Sequence, residues 1–236
     1  MKKILVITMS VFLLMSASVS AHGAVKATDH KKKDGLSILV NGVEVISSLN
    51  HQTSEGKTYV SVKAFAELFS LPYTVSDENK NLVFNGATIS NIRMKQNEPT
   101  AWIRDLSNAV HAQQVSWDEA NQEVYVLALP EGSIQITESV PAMGEHWANP
   151  QAGDLPVGPI YGVHDGKLVF LEYMIAQDDF VKGVNHENLA GMKGVPSPAV
   201  VQMDIEFQKQ GHEGFEVPHY DIHAYFISDE EQHEIK

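Results

Sequence analysis

The sequence predicts an α+β fold in two parts: a small duplicated α+β domain over residues 36–129, then a mainly antiparallel β domain over residues 138–236. Three observations predict it. Two short helical periods, each followed by β-prone runs, recur in the first part. Asn41-Gly42 and Asp165-Gly166 each divide a pair of apolar runs, as two-residue hairpin turns do. Beyond Pro141 the chain first thickens in proline and glycine and then carries strand-like runs that alternate in polarity.

The elements follow in order. Lys2 and Lys3 precede an apolar run from Ile4 to Met15, and the small residues up to Ala21 fit a signal-peptidase site. A signal peptide over residues 1–21 is therefore expected, with cleavage after Ala21 and a secreted or cell-wall-associated product. Residues 22–35, polar and carrying Lys31-Lys32-Lys33, are expected to be a flexible spacer. Ser37 to Val40 and Val43 to Ile46 flank the Asn41-Gly42 turn as a hairpin. Then come a strand at Thr58 to Ser61, a helix over Val62 to Ser70 and a strand at Leu82 to Phe84. The same series returns as Ala101-Trp102, a helix over Ile103 to His111 and strands at Val115 to Asp118 and Glu123 to Leu129. Val62 falls on Ile103, Phe65 on Leu106 and Val83 on Val124, which reads as an internal duplication. Residues 130–140 are a linker or a strand leading into the second part.

Composition narrows the function classes. The formal net charge is −13, which disfavours nucleic acid and anionic lipid as partners and is compatible with cations. After signal cleavage no segment is long and apolar enough to span a bilayer. The chain has no cysteine, so disulfides, thiolate ligands and an acylated-cysteine anchor are excluded. A transition-metal site would have to use His, Asp, Glu or water.

Residues 36–129 resemble the copper amine oxidase N-terminal-like domain, a module of proteins secreted by Gram-positive bacteria. The resemblance is carried by Val40-Asn41-Gly42-Val43, by the run from Gly56 to Leu68 and by Val115-Ser116-Trp117-Asp118. Where the family commonly reads Tyr-Val-Pro-Leu-Arg, this chain has Tyr59-Val60-Ser61-Val62-Lys63. The resemblance implies a stalk- or adhesion-like, wall-associated module, with cell-wall polymer as an expected partner; the region has no His cluster and offers no redox-cofactor site. Trp102 and Trp117 fit core packing better than sugar stacking.

Seven of the eleven histidines lie beyond residue 140. On the run His219-Tyr220-Asp221-Ile222-His223-Ala224-Tyr225, strand periodicity puts His219, Asp221, His223 and Tyr225 on one face. Tyr220, Ile222, Ala224 and Phe226 are expected to enter an apolar layer on the other. In the hairpin Ile160 to His164 and Lys167 to Ile175, Glu172 is the one carboxylate in the row Leu168, Phe170, Glu172, Met174. A carboxylate so placed needs a cation, a donor or a metal, unless it bridges to Lys167 or Lys182. Met143-Gly144-Glu145-His146-Trp147 has no period and is expected to present His146 from a loop.

The expected metal shell is thus His146, Glu172, His219 and His223, with Asp221 as an alternative ligand or as an acceptor orienting an imidazole. Nitrogen with oxygen donors suits a divalent transition metal, zinc first, with copper, manganese, iron or nickel also compatible. His164, His186, His212 and His233 are expected in exposed loops or the tail, His212 in the turn between strands at Val200 to Phe207 and Phe215 to Ile227.

Residues 138–228 resemble a family of poorly characterised secreted bacterial domains with a β-barrel-like core. Met143 to Trp147, Ile160 to Ile175 and Pro218 to Phe226 carry the resemblance. It implies a barrel-like domain and brings no activity with it. The His-x-Asp-x-His pattern is also similar to that of cupins, without their glycine spacing or later glutamate.

No Gly-x-Ser-x-Gly, His-Glu-x-x-His or phosphate-binding glycine loop is present. The expectation is a secreted metal-binding protein without catalysis. Two alternatives stand beside it. One is a metal-dependent hydrolase or oxygen-using enzyme, with Glu172 or Asp221 as base and Tyr225 as proton donor. The other is an envelope-interaction module with structural histidines.

Overall fold

The signature Asn-Gly and Asp-Gly turns both form. A computed structural model describes residues 35–76, 81–152 and 155–236. The expected signal peptide and all but the last residue of the spacer lie outside the described residues.

Asn41 and Gly42 both have positive φ and join β1 (Ser37–Val40) to β2 (Val43–Glu44). The chain continues through β3 (His51–Gln52) and β4 (Thr58–Ser61) into α1 (Val62–Phe69). Ser61 starts this helix by accepting the Ala64 amide on its hydroxyl, and Ser70 ends it in the left-handed region. The face formed by Val62, Phe65, Ala66 and Phe69 is buried.

Then follow β5 (Tyr73–Val75), β6 (Leu82–Phe84), β7 (Ala87–Ile89), β8 (Ile92–Lys95) and β9 (Glu98–Trp102). Next are α2 (Ile103–Ala109), β10 (Gln114–Asp118) and β11 (Glu123–Leu127). These strands form three small sheets, ordered β10-β11-β1-β2, β3-β4-β9-β8 and β5-β6-β7. All their pairings are antiparallel except β1 with β11, which run parallel. Their shared core includes Val40, Val60, Phe65, Phe84, Leu106 and Val126. Trp102 packs against this core, whereas Trp117 is partly exposed.

The remainder is built on one larger sheet. Its strands are β12 (Ile134–Gln135), β13 (Glu145–Ala148), β14 (Ile160–His164), β15 (Lys167–Ala176), β16 (Gln202–Gln208) and β17 (His219–Tyr225). Helix α3 (Gln177–Lys182) follows β15, and α4 (Asp229–Glu234) closes the chain. The sheet is antiparallel throughout and ordered β12-β13-β14-β15-β17-β16. The barrel expected for this part is not formed, because the sheet stays open. Closure would have to pair a two-residue edge, β12, with a seven-residue edge, β16, and so short a strand cannot supply the ladder.

The described residues all belong to one compact unit. Tyr125, Leu127 and Leu129, on and just beyond β11, share an apolar cluster with Tyr161, Val163 and Leu168 from the β14–β15 hairpin. The Leu168 amide donates to the Tyr125 hydroxyl at 3.1 Å, and Lys167 pairs with Glu123 at 2.9 Å. Residues 184–201, which have no regular structure, are fastened to the sheet where Tyr161 and Tyr173 donate to the carbonyls of Gly191 and Ala190.

Candidate metal centre

The alternation read from β17 is present, but its polarity relative to solvent is inverted. His219, Asp221, His223 and Tyr225 are all at or near zero exposure, while Tyr220, Ile222 and Ala224 are only half-buried. The polar face is the interior one, so these side chains are not a solvated sheet surface. The reason lies in what covers them. Phe170, Tyr225 and Ile235 pack over one end of the face, and Phe215 stacks on the His219 ring at 4.4 Å.

Cross-strand register places further groups on this face. Glu172 lies opposite His223, and Asp204 and Glu206 lie opposite His223 and Asp221. Glu172 is buried and bridges to neither lysine considered for it, since Lys167 pairs with Glu123 and Lys182 with Asp178. His146 comes from β13, not from a loop as expected. The backbone pairs Glu145, His146 and Trp147 with Val163, Gly162 and Tyr161. His146 sits beside Gly162, whose missing side chain makes room for the Phe170 ring. A Cβ there would come within 2.1 Å of that ring. Phe170 in turn stands edge-on to both His146 and His223, at 5.5 and 5.0 Å between ring centres.

The expected shell divides into two neighbouring groups. In the first, His219 and Asp221 are joined by His212, which the sequence places in an exposed turn without a role. His212 is in that turn and its side chain is 44% exposed, but its ring is brought onto His219. The two Nε2 atoms lie 3.2 Å apart, and Asp221 Oδ1 lies 3.0 Å from His219 Nε2 and 3.9 Å from His212 Nε2.

The tautomers follow from the backbone. His219 Nδ1 is 2.7 Å from the Val217 carbonyl and His212 Nδ1 is 3.1 Å from the Glu213 carbonyl. A carbonyl can only accept, so each Nδ1 carries the hydrogen and each neutral ring presents a lone pair at Nε2. Two lone pairs and a carboxylate oxygen therefore converge. Asp221 Oδ1 is buried and has no aligned hydrogen-bond partner. Leaving such an atom unsatisfied costs roughly 1–3 kcal/mol. The spacing also matches a metal. Ligands about 2.0–2.1 Å from a tetrahedral zinc lie roughly 3.3 Å from one another.

The second group is centred on Glu172. His223 Nε2 lies 3.1 Å from one carboxylate oxygen and His146 Nε2 lies 3.8 Å from the other. Burial holds the pKa of His146 below the ordinary value, against the opposing pull of Glu172. Burial also acts to lower that of His223, but there the combined carboxylates of Glu172, Asp221 and Glu206 prevail and raise it. The Tyr225 hydroxyl accepts from Gln232 Nε2 at 2.9 Å, and burial, reinforced by nearby carboxylates, raises its pKa well beyond the usual phenol range. Of the other histidines, His164, His186 and His233 each lie near an aspartate and away from both groups.

No family model matches the chain, and no curated protein matches it. Among solved structures, a hypothetical protein, TTHB210, from Thermus thermophilus aligns with 18% identity and a TM-score of 0.37. The alignment covers 41% of this chain and 83% of that one. At that level of similarity it bears on neither fold nor function, and the chemistry of the site rests on the geometry above.

His212 escapes a sequence reading because a turn residue carries no periodicity. One signal is available in the sequence: His212 lies between Gly211 and Gly214, seven residues before His219, a spacing at which a β-turn can fold back over its own strand.

Proposed function

We propose that this protein is a secreted or cell-envelope divalent-metal-binding protein, with zinc as the expected ion and His212, His219 and Asp221 as its ligands. The observation that carries the reading is the pair of Nε2 lone pairs 3.2 Å apart, each fixed by a backbone carbonyl on the opposite ring nitrogen, beside a buried carboxylate oxygen. A single proton can lie along only one of these contacts at a time. A divalent cation satisfies all three. The backbone carbonyls act as the outer partners that orient metal-bound imidazoles. Secretion rests on the leader-like sequence of residues 1–21, and a stalk role for residues 36–129 rests on their sequence resemblance alone.

The principal reading is binding without catalysis. A metal-dependent hydrolase is the second reading, favoured by the ligand count. Three protein ligands leave a coordination position for water, and His212 opens the group to solvent.

The test is competition for zinc against a chromophoric chelator, followed by elemental analysis of dialysed protein. Stoichiometric zinc is expected in the wild type, with affinity reduced at least tenfold in His212→Ala. His212 is exposed enough that its loss leaves the fold intact. A wild-type protein that retains no zinc, or a His212→Ala protein with unchanged affinity, overturns the assignment.

A further inference from the structure

We propose a second divalent-cation site on the same sheet face, centred on the Glu172 carboxylate, with His146 Nε2 and His223 Nε2 as its nitrogen ligands. The chain would then hold two ions in a row along β17. This goes beyond the first site, because none of the three ligands is shared with it.

His223 is fully buried, and neither of its ring nitrogens has an aligned hydrogen-bond partner, although Nε2 lies only 3.1 Å from Glu172 Oε1. A buried imidazole paired with a carboxylate for structural reasons alone would be expected to aim an N–H along that contact. Here the ring is held otherwise, clamped between Phe170 and Tyr225 at 5.0 and 5.4 Å between ring centres. Its Nδ1 faces the half-exposed Glu206 carboxylate at 3.8 Å. With the hydrogen on Nδ1, facing that acceptor, Nε2 turns a lone pair toward Glu172. This is the carboxylate–histidine–metal arrangement in incipient form.

His146 repeats the pattern. Its backbone amide donates to Thr137 Oγ1 at 3.1 Å, and its Nδ1 is 3.0 Å from the same hydroxyl. In the tautomer where Nδ1–H donates to Thr137, Nε2 presents a lone pair to the second oxygen of Glu172 at 3.8 Å. Two lone pairs thus approach the two oxygens of one buried carboxylate.

The walls suit an ion as well. Phe170 stands against both imidazoles and fixes their planes, and the space it occupies exists only because residue 162 is glycine. An apolar wall around a polar ligand set limits water access and strengthens binding of the ion. Side chains two apart on a strand are spaced by roughly 7 Å, which sets the approximate separation of the two ions. Two nitrogens and a carboxylate suit the same borderline divalent metals as the first site.

The experiment counts zinc per chain in the full mature protein after saturation and dialysis, with the double variant His212→Ala/Glu172→Gln as baseline for weakly held ions. Two equivalents above baseline are expected in the wild type, and one in each of His212→Ala, Glu172→Gln and His146→Gln. A wild type holding one equivalent, lost in His212→Ala and kept in Glu172→Gln, overturns the second site and leaves the first. One equivalent kept in His212→Ala and lost in Glu172→Gln overturns the first site and leaves the second. No zinc above baseline overturns both. If a variant fails to fold by circular dichroism, the wild type still decides. The imidazole carbon proton resonances of His146 and His223 should shift between the first and second equivalents of zinc, and resonances unmoved by saturating zinc overturn the second site.

Discussion

At the scale of single residues, the site depends on groups whose roles come from neighbours in space. Asp221 and Glu172 are both buried carboxylates, yet among the described residues each is faced by imidazole nitrogens and by no lysine or arginine contact within the site. Gly162 has no polar atom in its side chain and still shapes the Glu172 group, because Phe170, which stands against His146 and His223, occupies the space beside it. Gly162→Ala should therefore displace Phe170 and destabilise the protein by about 1–3 kcal/mol, as overpacking a filled core does. Urea denaturation of the metal-free protein measures this, and a loss below a few tenths of a kcal/mol would show that the ring relaxes freely. His212→Ala should behave in the opposite manner. Its exposed side chain contributes little to the metal-free fold, so the urea midpoint without metal should stay near that of the wild type while zinc affinity falls.

At the scale of elements, β17 carries the ligands and its neighbours decide where they sit. The β14–β15 hairpin is held by the Asp165-Gly166 turn, and β15 brings Glu172 opposite His223. Helix α4 covers the Tyr225 end of the ligand row. Ser228 caps it by accepting the Glu231 amide, while the Glu231 side chain accepts the Ser228 amide. From its buried side, Gln232 donates to the Tyr225 hydroxyl and accepts from Gln202 on β16. Ser228→Ala should cost about 1 kcal/mol through loss of the cap. Thermal unfolding followed by circular dichroism measures it, with an unchanged midpoint arguing that α4 is not part of the cooperative fold. The edge strand β16 has a different character. Met203, Ile205 and Phe207 are exposed on one side of it, while Glu206 reaches toward His223 on the other.

At the scale of the whole molecule, the sheet that carries the ligands is attached to the first part of the chain through a buried cluster. Leu127, with no exposed surface, sits in that cluster with Tyr161, Val163 and Leu168. Leu127→Ala should lower stability by about 2–5 kcal/mol. Because the cluster joins strands from both parts, the loss should appear in one transition shared by far-ultraviolet and tryptophan signals. Two separate transitions, with only the earlier one moved, would contradict that coupling. Zinc should add stability by mass action, about 2.7 kcal/mol for one site at a free concentration one hundred times the dissociation constant. A melting temperature that chelator and zinc leave unmoved would sink the metal reading at this scale.

Much of the local structure was legible in the sequence because local structure is set by short-range periods. Period two placed His219, Asp221 and His223 on one face, and Phe170, Glu172 and Met174 in a buried row on β15, whereas Leu168, expected in that row, is turned to the opposite face by a register shift between Gly162 and Val163 and packs with Tyr161 and Val163. The paired turn residues marked both hairpins, and Ser61 marked the start of α1. Alternation does not say which face of a strand meets water. The burial of the polar face of β17 depends on Phe170, Phe215 and Ile235, which arrive from elsewhere in the chain. Nor could it show that His146 belongs to a strand, since β13 is recognisable only by its pairing with β14. The open sheet likewise reflects the unequal lengths of its two edges. The sequence by itself determined which donors exist, all nitrogen and oxygen with no thiolate, and which of them share a strand face. Only the tertiary structure decided that His212 folds back onto His219 and that Glu172 stands between His146 and His223. Those contacts depend on chain reversal and cross-strand register, which bring together residues with no common local period.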